Sequence, residues 1–158
     1  ERVVTVTGKN VPNPSNFKVR IGTATSELIE AAGGLPEDTG KIISGGPMMG
    51  HAIASLDVPV TKGTSGILLM KSENSTRGEV MTCIRCSRCV SVCPMGLEPY
   101  LLMTLGEKQI FDRAEKEHVT DCIECGSCSY TCPSNRPLLD YIRFGKSKVG
   151  QIIRSRKK

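Results

Sequence analysis

Eight cysteines carry the chemistry open to this sequence, and they fall in two copies of one pattern. The first copy is Cys83-x-x-Cys86-x-x-Cys89-x-x-x-Cys93-Pro94, and the second is Cys122-x-x-Cys125-x-x-Cys128-x-x-x-Cys132-Pro133. Three thiolates separated by two residues each can wrap three corners of an iron–sulfur cubane, while the fourth Cys, followed by Pro, turns away and reaches a second cubane. The spacing therefore assigns Cys83, Cys86, Cys89 and Cys132 to one [4Fe-4S] cluster. Cys122, Cys125, Cys128 and Cys93 go to the other. No ligand position is vacant, which argues against a three-iron cluster.

Other uses of the same thiols explain less. Structural zinc needs two C-x-x-C units per site and leaves the fourth Cys and its Pro in each repeat without a role. A disulfide framework belongs to short secreted chains with scattered spacings, unlike these short, repeated ones. Clusters that only brace the fold are a further alternative, but crossed ligation sets two cubanes close together, as passage of electrons between them requires. Bracing and transfer are compatible, because metal binding is also folding free energy. Removing iron is thus expected to unfold residues from about 80 onward.

The surroundings of the two repeats differ. Backbone amides near Ser87, Gly126, Ser127 and Ser129 are candidate donors to sulfur, and donors of this kind tune potential. Arg85 and Arg88 flank the first repeat, whereas Glu124 occupies the position that matches Arg85. The first cluster is expected to sit in the more positive field, which favours its reduced form.

The rest of the chain offers weaker motifs. Gly45-Gly46-Pro47-Met48-Met49-Gly50 lacks the Gly-Lys-Ser/Thr ending of a phosphate loop, and Pro47 removes an amide donor, so it reads as a tight turn. Lys62-Gly63-Thr64-Ser65-Gly66 reads as a hairpin turn. Met48 and Met49 read as core filling in preference to a soft contact surface for a partner or flavin, and His51 and His118 stand apart from any catalytic pattern. No nicotinamide or flavin fingerprint of the G-x-G-x-x-G kind is present. No residue is assigned a catalytic role.

Composition limits what can hold these residues in place. The chain has 158 residues, 39% hydrophobic and 4% aromatic with no Trp, which leaves little bulky area for one large core. The formal charge is +5; two clusters at a formal −2 each bring it to about +1. The basic tail Arg154, Arg156, Lys157 and Lys158 has no interleaved aromatics, so it reads as a solvated helix end or a contact to an acidic partner or anionic lipid, not as a nucleic-acid site. The longest apolar run, Ile67 to Met70, is far below the ~20 residues of a membrane span. A first residue of Glu leaves room for a missing N-terminal region.

The elements that position the cysteines follow from periodicity. Val3 to Thr7 and Phe17 to Ile21 alternate and read as a hairpin with a long loop; Thr25 reads as the N-cap of a helix through Ala32, with Leu28 and Ala31 inward and Gly33-Gly34 as its stop. Lys41 to Ser44, Val58 to Thr61 and Ile67 to Met70 are β-prone. This order predicts a small β-grasp-like domain over residues 1–72. Polar residues 73–79 form the linker. In residues 80–158 the pattern turns helical: Pro99 through Leu105 with Gly106 as stop, Lys108 to Glu117, and a third segment from Pro137 onward. The 28 residues between Cys93 and Cys122 exceed what a minimal ferredoxin needs. The fold class is α+β, with an α-helical ferredoxin-like half holding both clusters.

Several strings together carry a family resemblance. Gly45-Gly-Pro-Met-Met-Gly50, Leu56-Asp-Val-Pro-Val60, Lys62-Gly-Thr-Ser-Gly66, Cys83-Ile-Arg-Cys86 and Asp121-Cys-Ile-Glu-Cys125-Gly with Cys132-Pro-Ser134 resemble the C-subunit of the Rnf ion-translocating electron-transport complex. The resemblance implies a peripheral subunit on the cytoplasmic face of the cell membrane, with no span of its own. Its complex couples electron flow between ferredoxin and NAD+ to ion transport, and its partners include a ferredoxin-like subunit. It also implies that the β-grasp half is a soluble-ligand-binding (SLBB) domain and that FMN and NAD belong only to an upstream domain missing from this chain. The eight Cys carry over one by one; no flavin-binding residue does. Two rivals remain: a cobalamin-reducing protein of similar build, and a non-redox binding module braced by clusters.

Overall fold

The computed structural model describes residues 1–156, so Lys157 and Lys158 of the basic tail lie outside the described residues. The chain divides into two units, Glu1–Thr76 and Arg77–Lys158.

In the first unit five strands form one mixed sheet. They are β1 (Arg2–Gly8), β2 (Ser15–Val19), β3 (Thr39–Ser44), β4 (His51–Ile53) and β5 (Gly66–Lys71), in the order β2-β1-β5-β3-β4. β1 runs parallel to β5, and every other neighbouring pair is antiparallel. Alternation along β1 drives Val4 and Val6 inward and leaves Val3 in solvent. Helix α1 (Thr25–Ala31) covers that inner face, packing Leu28 and Ile29 with Val4, Val6, Val60, Ile67 and Leu69. Its end is a left-handed pair, Gly33 and Gly34, whose N–H groups donate to Glu30 and Ile29 carbonyls.

Several expectations for this unit need correction. Ala24, not Thr25, is the N-cap of α1: the Thr25 hydroxyl donates to Val58 O at 2.7 Å and is not available to cap. Ala31 faces solvent and Ala32 takes the inward place. Val58 to Thr61 is not a strand of the sheet. Val60 is buried, but its N–H donates to Thr23 O and its carbonyl accepts from Gly22, so the segment pairs with the approach to α1. Residues 62–66 consequently join no hairpin. The strand β4 was not expected, since three residues after a turn carry no readable period.

The second unit is helical. Its helices are α2 (Arg88–Ser91), α3 (Pro99–Glu107), α4 (Phe111–Lys116), α5 (Ser127–Tyr130) and α6 (Leu138–Arg156). Leu102, Met103, Leu105, Ala114, Val119, Leu138, Ile142 and Val149 make its core, mainly between α3 and α6. The segment that follows Pro137 is one continuous helix of 19 residues. Among the described residues no helix is long and apolar enough to cross a membrane.

Gly106 does not stop α3. It lies inside the helix, buried, where a Cβ would collide with the backbone carbonyl of Tyr141 on α6. Gly145 faces it, and a Cβ built there would lie 3.5 Å from Gly106 Cα. The helix ends just beyond Glu107, and Gln109 in the left-handed region (φ 57°) keeps Lys108 to Ile110 out of α4. Backbone cannot yield as a side chain can, so Gly106→Ala is expected to destabilise the unit by about 1–3 kcal/mol. A lower urea midpoint of the anaerobic holoprotein checks this.

Candidate metal centres

Each cysteine repeat folds as an irregular loop, one short helical turn and a second tight loop, and the backbone of one repeat matches that of the other. Arg85 and Glu124 both take left-handed φ, 56° and 57°. Ser87 (φ 58°) and Gly126 (φ 81°) do so again directly before α2 and α5, and Gly96 (φ 65°) and Asn135 (φ 49°) close the Cys-Pro turns. Gly96 N–H donates to Cys93 O and Asn135 N–H to Cys132 O, each at 3.2 Å. A left-handed residue next to a right-handed turn points successive N–H groups into one concavity, which suits an anionic occupant. Non-glycine residues resist this conformation at a cost of roughly 1–2 kcal/mol each. Local sequence preference does not explain Arg85, Ser87 and Glu124 in such a state.

The eight thiols line two cavities. One, of about 500 Å³, brings together Cys83, Cys86, Cys89 and Cys132, with Tyr100, Arg85, Arg88 and Arg136 also in its wall. A smaller and more enclosed cavity brings together Cys93, Cys122, Cys125 and Cys128, walled by Leu97, Pro99, Leu102, Leu139 and Ile142. In each, three cysteines come from one repeat and the fourth from the other. The exchange on the first side is held by Ser134, which is buried: its Oγ donates to Thr82 O at 3.0 Å and its carbonyl accepts from Met81 N–H at 3.0 Å. These bonds tie the Cys132-Pro133 turn to the residues leading into Cys83.

The donor chemistry suits a multi-iron group. All eight cysteines are free thiols. Among the described residues no three Cys, His, Asp or Glu converge tightly enough for a single metal ion. A lone zinc draws its sulfurs to about 2.3 Å from one point, whereas these thiols are spread around a cavity. Burial pushes the Cys128 thiol up to about 11 and raises Cys89 and Cys122 as well. Thiols so placed form thiolates when a bound cation compensates the charge. Cys125 is drawn down by its hydrogen bonding with Ser127, the thiol lying 3.5 Å from the Ser127 Oγ to which it donates, and Glu124 N–H donates to Cys122 Sγ at 3.4 Å.

The charge beside the second repeat is not the bare carboxylate that the sequence suggests. Glu124 is not a free negative charge: Arg143 Nε lies 3.0 Å from one carboxylate oxygen and Lys146 Nζ 3.2 Å from the other. Burial opposes its ionisation, but the hydrogen bonds from Lys146 and Arg143 outweigh burial and hold the carboxyl below its usual range. Lys146 also donates to Cys122 O at 2.6 Å. The second repeat therefore has its own cations, and the contrast between Arg85 and Glu124 does not set the sign of the local charge. Sequence reasoning missed Arg143, Lys146, Tyr100 and Arg136. The three-residue spacing of Arg143 and Lys146 on one helix face was the available signal.

Of the remaining motifs, residues 45–50 form the turn between β3 and β4, with Gly45 left-handed and Gly50 N–H donating to Gly46 O. Met48 and Met49 are exposed there and do not fill the core. His51 is exposed on β4, and His118 is an exposed left-handed residue 3.8 Å from Asp121.

Comparison with known proteins places both halves. Residues 3–52 match the SLBB domain family, and residues 76–133 match the 4Fe-4S dicluster domain family. The C-subunit of the proton-translocating ferredoxin:NAD(+) oxidoreductase complex of Clostridium ljungdahlii is 48% identical over 148 residues, covering 93% of this chain and 32% of that protein. The C-subunit of the Na(+)-translocating ferredoxin:NAD(+) oxidoreductase complex of Acetobacterium woodii is 42% identical over 158 residues, 100% of this chain and 35% of its own length. The C-subunit of the ion-translocating oxidoreductase complex of Rhodobacter capsulatus is 44% identical over 150 residues, with coverages of 95% and 29%. The chain spans about a third of the length of these relatives. With both domain types in order and homology along nearly all of its length, the chain belongs to the C-subunit family of ion-translocating oxidoreductase complexes.

Proposed function

We propose that this chain is the electron-relay portion of an Rnf-type ferredoxin:NAD+ oxidoreductase, acting through two [4Fe-4S] clusters in a complex that couples electron flow to ion translocation. The observation that carries this reading is the pair of four-cysteine cavities, each completed by one Cys of the opposite repeat. Cys83, Cys86, Cys89 and Cys132 would hold one cluster, and Cys122, Cys125, Cys128 and Cys93 the other. A bound [4Fe-4S] cluster takes up and returns a single electron. What the chain supplies is position and environment. Ser134 fixes one crossing ligand beside the other repeat's loop, the left-handed turns gather amide donors, and Leu97, Pro99, Leu102 and Ile142 exclude water from the second site.

The first unit is read as a β-grasp domain, supported by a mixed sheet covered by one helix and by its match to the SLBB family. Its role is to dock the relay or hold a soluble ligand, with the domain boundary near residues 73–79. Partners are other subunits of the complex, including a ferredoxin-like one, at the cytoplasmic face of the cell membrane. FMN and NAD belong to a region outside this chain, and this portion alone carries electrons without catalysis.

Anaerobically purified protein is expected to contain about eight iron and eight acid-labile sulfide per chain. After dithionite, paramagnetic resonance should show two spin-coupled reduced centres. Folded protein carrying zinc, or iron that dithionite does not reduce, overturns the relay.

A further inference from the structure

The two cavities differ in what surrounds them. The larger is the more open of the two and carries Arg85, Arg88 and Arg136 in its wall, and none of these guanidinium groups is in an ion pair among the described residues. Arg77, Arg113, Arg143 and Arg156 of the same unit are all paired. No carboxylate lines this cavity; Glu98, close to Tyr100 in sequence, is engaged by the Tyr100 hydroxyl at 3.2 Å. Ile84 stands 67% exposed between two of the cysteines, and Cys86 is itself exposed. At the enclosed cavity the matching charge, Glu124, is held by Arg143 and Lys146.

Three unpaired arginines exceed the formal −2 of a cluster bound by the four cysteines, so the face around the exposed Ile84 keeps a net positive charge for a partner to complement. Opposite charge on a partner raises the encounter rate by roughly 10- to 1,000-fold at low salt and orients the approach. Apolar contact at the centre of such a ring excludes water once the surfaces meet. Electron-transfer complexes are small and transient, burying less than about 1,200 Å² in total, so an apolar residue with three neighbouring cations can form the centre of one.

Resting on the relay reading, we propose that the face formed by Ile84, Arg85, Arg88 and Arg136 is the docking port for an acidic electron-carrier protein, through which electrons pass between that carrier and the Cys83–Cys86–Cys89–Cys132 site. The step is a single electron transfer: the carrier's reduced centre is oxidised as this site is reduced, with no bond made or broken and no proton moved.

The second repeat supplies a mild test variant. It has Glu and Ser at the positions of Arg85 and Arg88, on a backbone with the same left-handed turn. Arg85→Glu with Arg88→Ser is therefore compatible with the fold, and Lys116→Glu serves as a control at an exposed lysine outside the cavity. Anaerobic holoprotein is mixed with a dithionite-reduced acidic bacterial ferredoxin in a stopped-flow instrument, and the oxidised pair is titrated calorimetrically.

At about 10 mM ionic strength the double variant is expected to react at least about tenfold more slowly and to bind at least about tenfold more weakly. The gap should close near 1 M salt, where the Debye length falls to about 3 Å. K116E should match the parent. The port is overturned if the double variant, with full iron, sulfide and dithionite-reducible signal, reacts and binds like the parent at low salt. It is also overturned if a basic carrier slows equally, or if R85E/R88S abolishes binding to phosphatidylglycerol vesicles while leaving the ferredoxin rate intact. Absence of reducible iron in the parent is seen before any carrier is added and defeats the relay instead.

Discussion

Chelating the iron from this protein is expected to unfold residues 77–158 while residues 1–76 stay folded. The first unit has a core of Val4, Val6, Leu28, Ile29, Val60, Ile67 and Leu69, closed by a five-stranded sheet, and contains no cysteine. The second unit depends on its thiols. Cys128 is buried in its core, with Cys89, Cys122 and Cys132 packed against it. Apart from the single turns α2 and α5, the segments that carry the ligands have no regular structure, and they hold Arg85, Ser87 and Glu124 in left-handed conformations. Without iron nothing repays that strain or the ordering of two irregular loops, which costs roughly 1–2 kcal/mol per residue. Net stabilities of whole domains are only about 5–15 kcal/mol, so losing the metal term removes the fold.

The readout is well separated, because α1 supplies 7 helical residues in the first unit and α6 alone supplies 19 in the second. Far-ultraviolet ellipticity should therefore lose most of its helical signal on chelation. Hydrogen exchange should become unprotected from about residue 80 onward and stay protected in β1, β3 and β5. Retention of α3 and α6 protection in iron-free protein would mean that their packing at Gly106 and Gly145 is self-sufficient, and that the second unit owes its fold to side-chain contacts and not to metal.

What could be read in the sequence followed the range of the interaction. The cysteines announce themselves because ligand spacing is a local covalent constraint, and β1 and α6 announce themselves because a period of 2 or 3.6 persists over many residues. Features set by distant partners were not legible. Gly106 looks like a helix stop until Tyr141 is seen against it. Val58 to Thr61 has strand-like residues but finds its hydrogen bonds at Gly22 and Thr23. Lys146 reads as one more cation on a helix, and only the fold brings its ammonium to the Cys122 carbonyl and the Glu124 carboxylate. Likewise, Arg85 and Glu124 looked opposite in effect from their charges alone, because the cations that neutralise Glu124 lie well along the chain on α6.

Pairs of Cys→Ser substitutions should show which cysteines share a cluster. If Cys132 completes the site of Cys83, Cys86 and Cys89, then C83S/C132S damages one site twice and leaves about four iron and four sulfide per chain. C122S/C132S strikes both sites and should leave almost none. The opposite ranking is expected if each repeat closes on itself, so the comparison is independent of how severe any single substitution is. C93S/C125S and C93S/C86S repeat the test from the other side, with the first pair retaining iron and the second losing it. The geometric argument is that Ser134 anchors the Cys132 turn to Met81 and Thr82, which lead directly into Cys83. Breaking that anchor with Ser134→Ala leaves all eight thiols in place. It should nevertheless lower iron occupancy selectively at the open site, since the Cys132 turn then keeps only the backbone bond from Met81 and the Asn135 amide bond to Glu79 O. Full occupancy in S134A, together with equal iron loss in C83S/C132S and C122S/C132S, would remove the basis for the crossed arrangement.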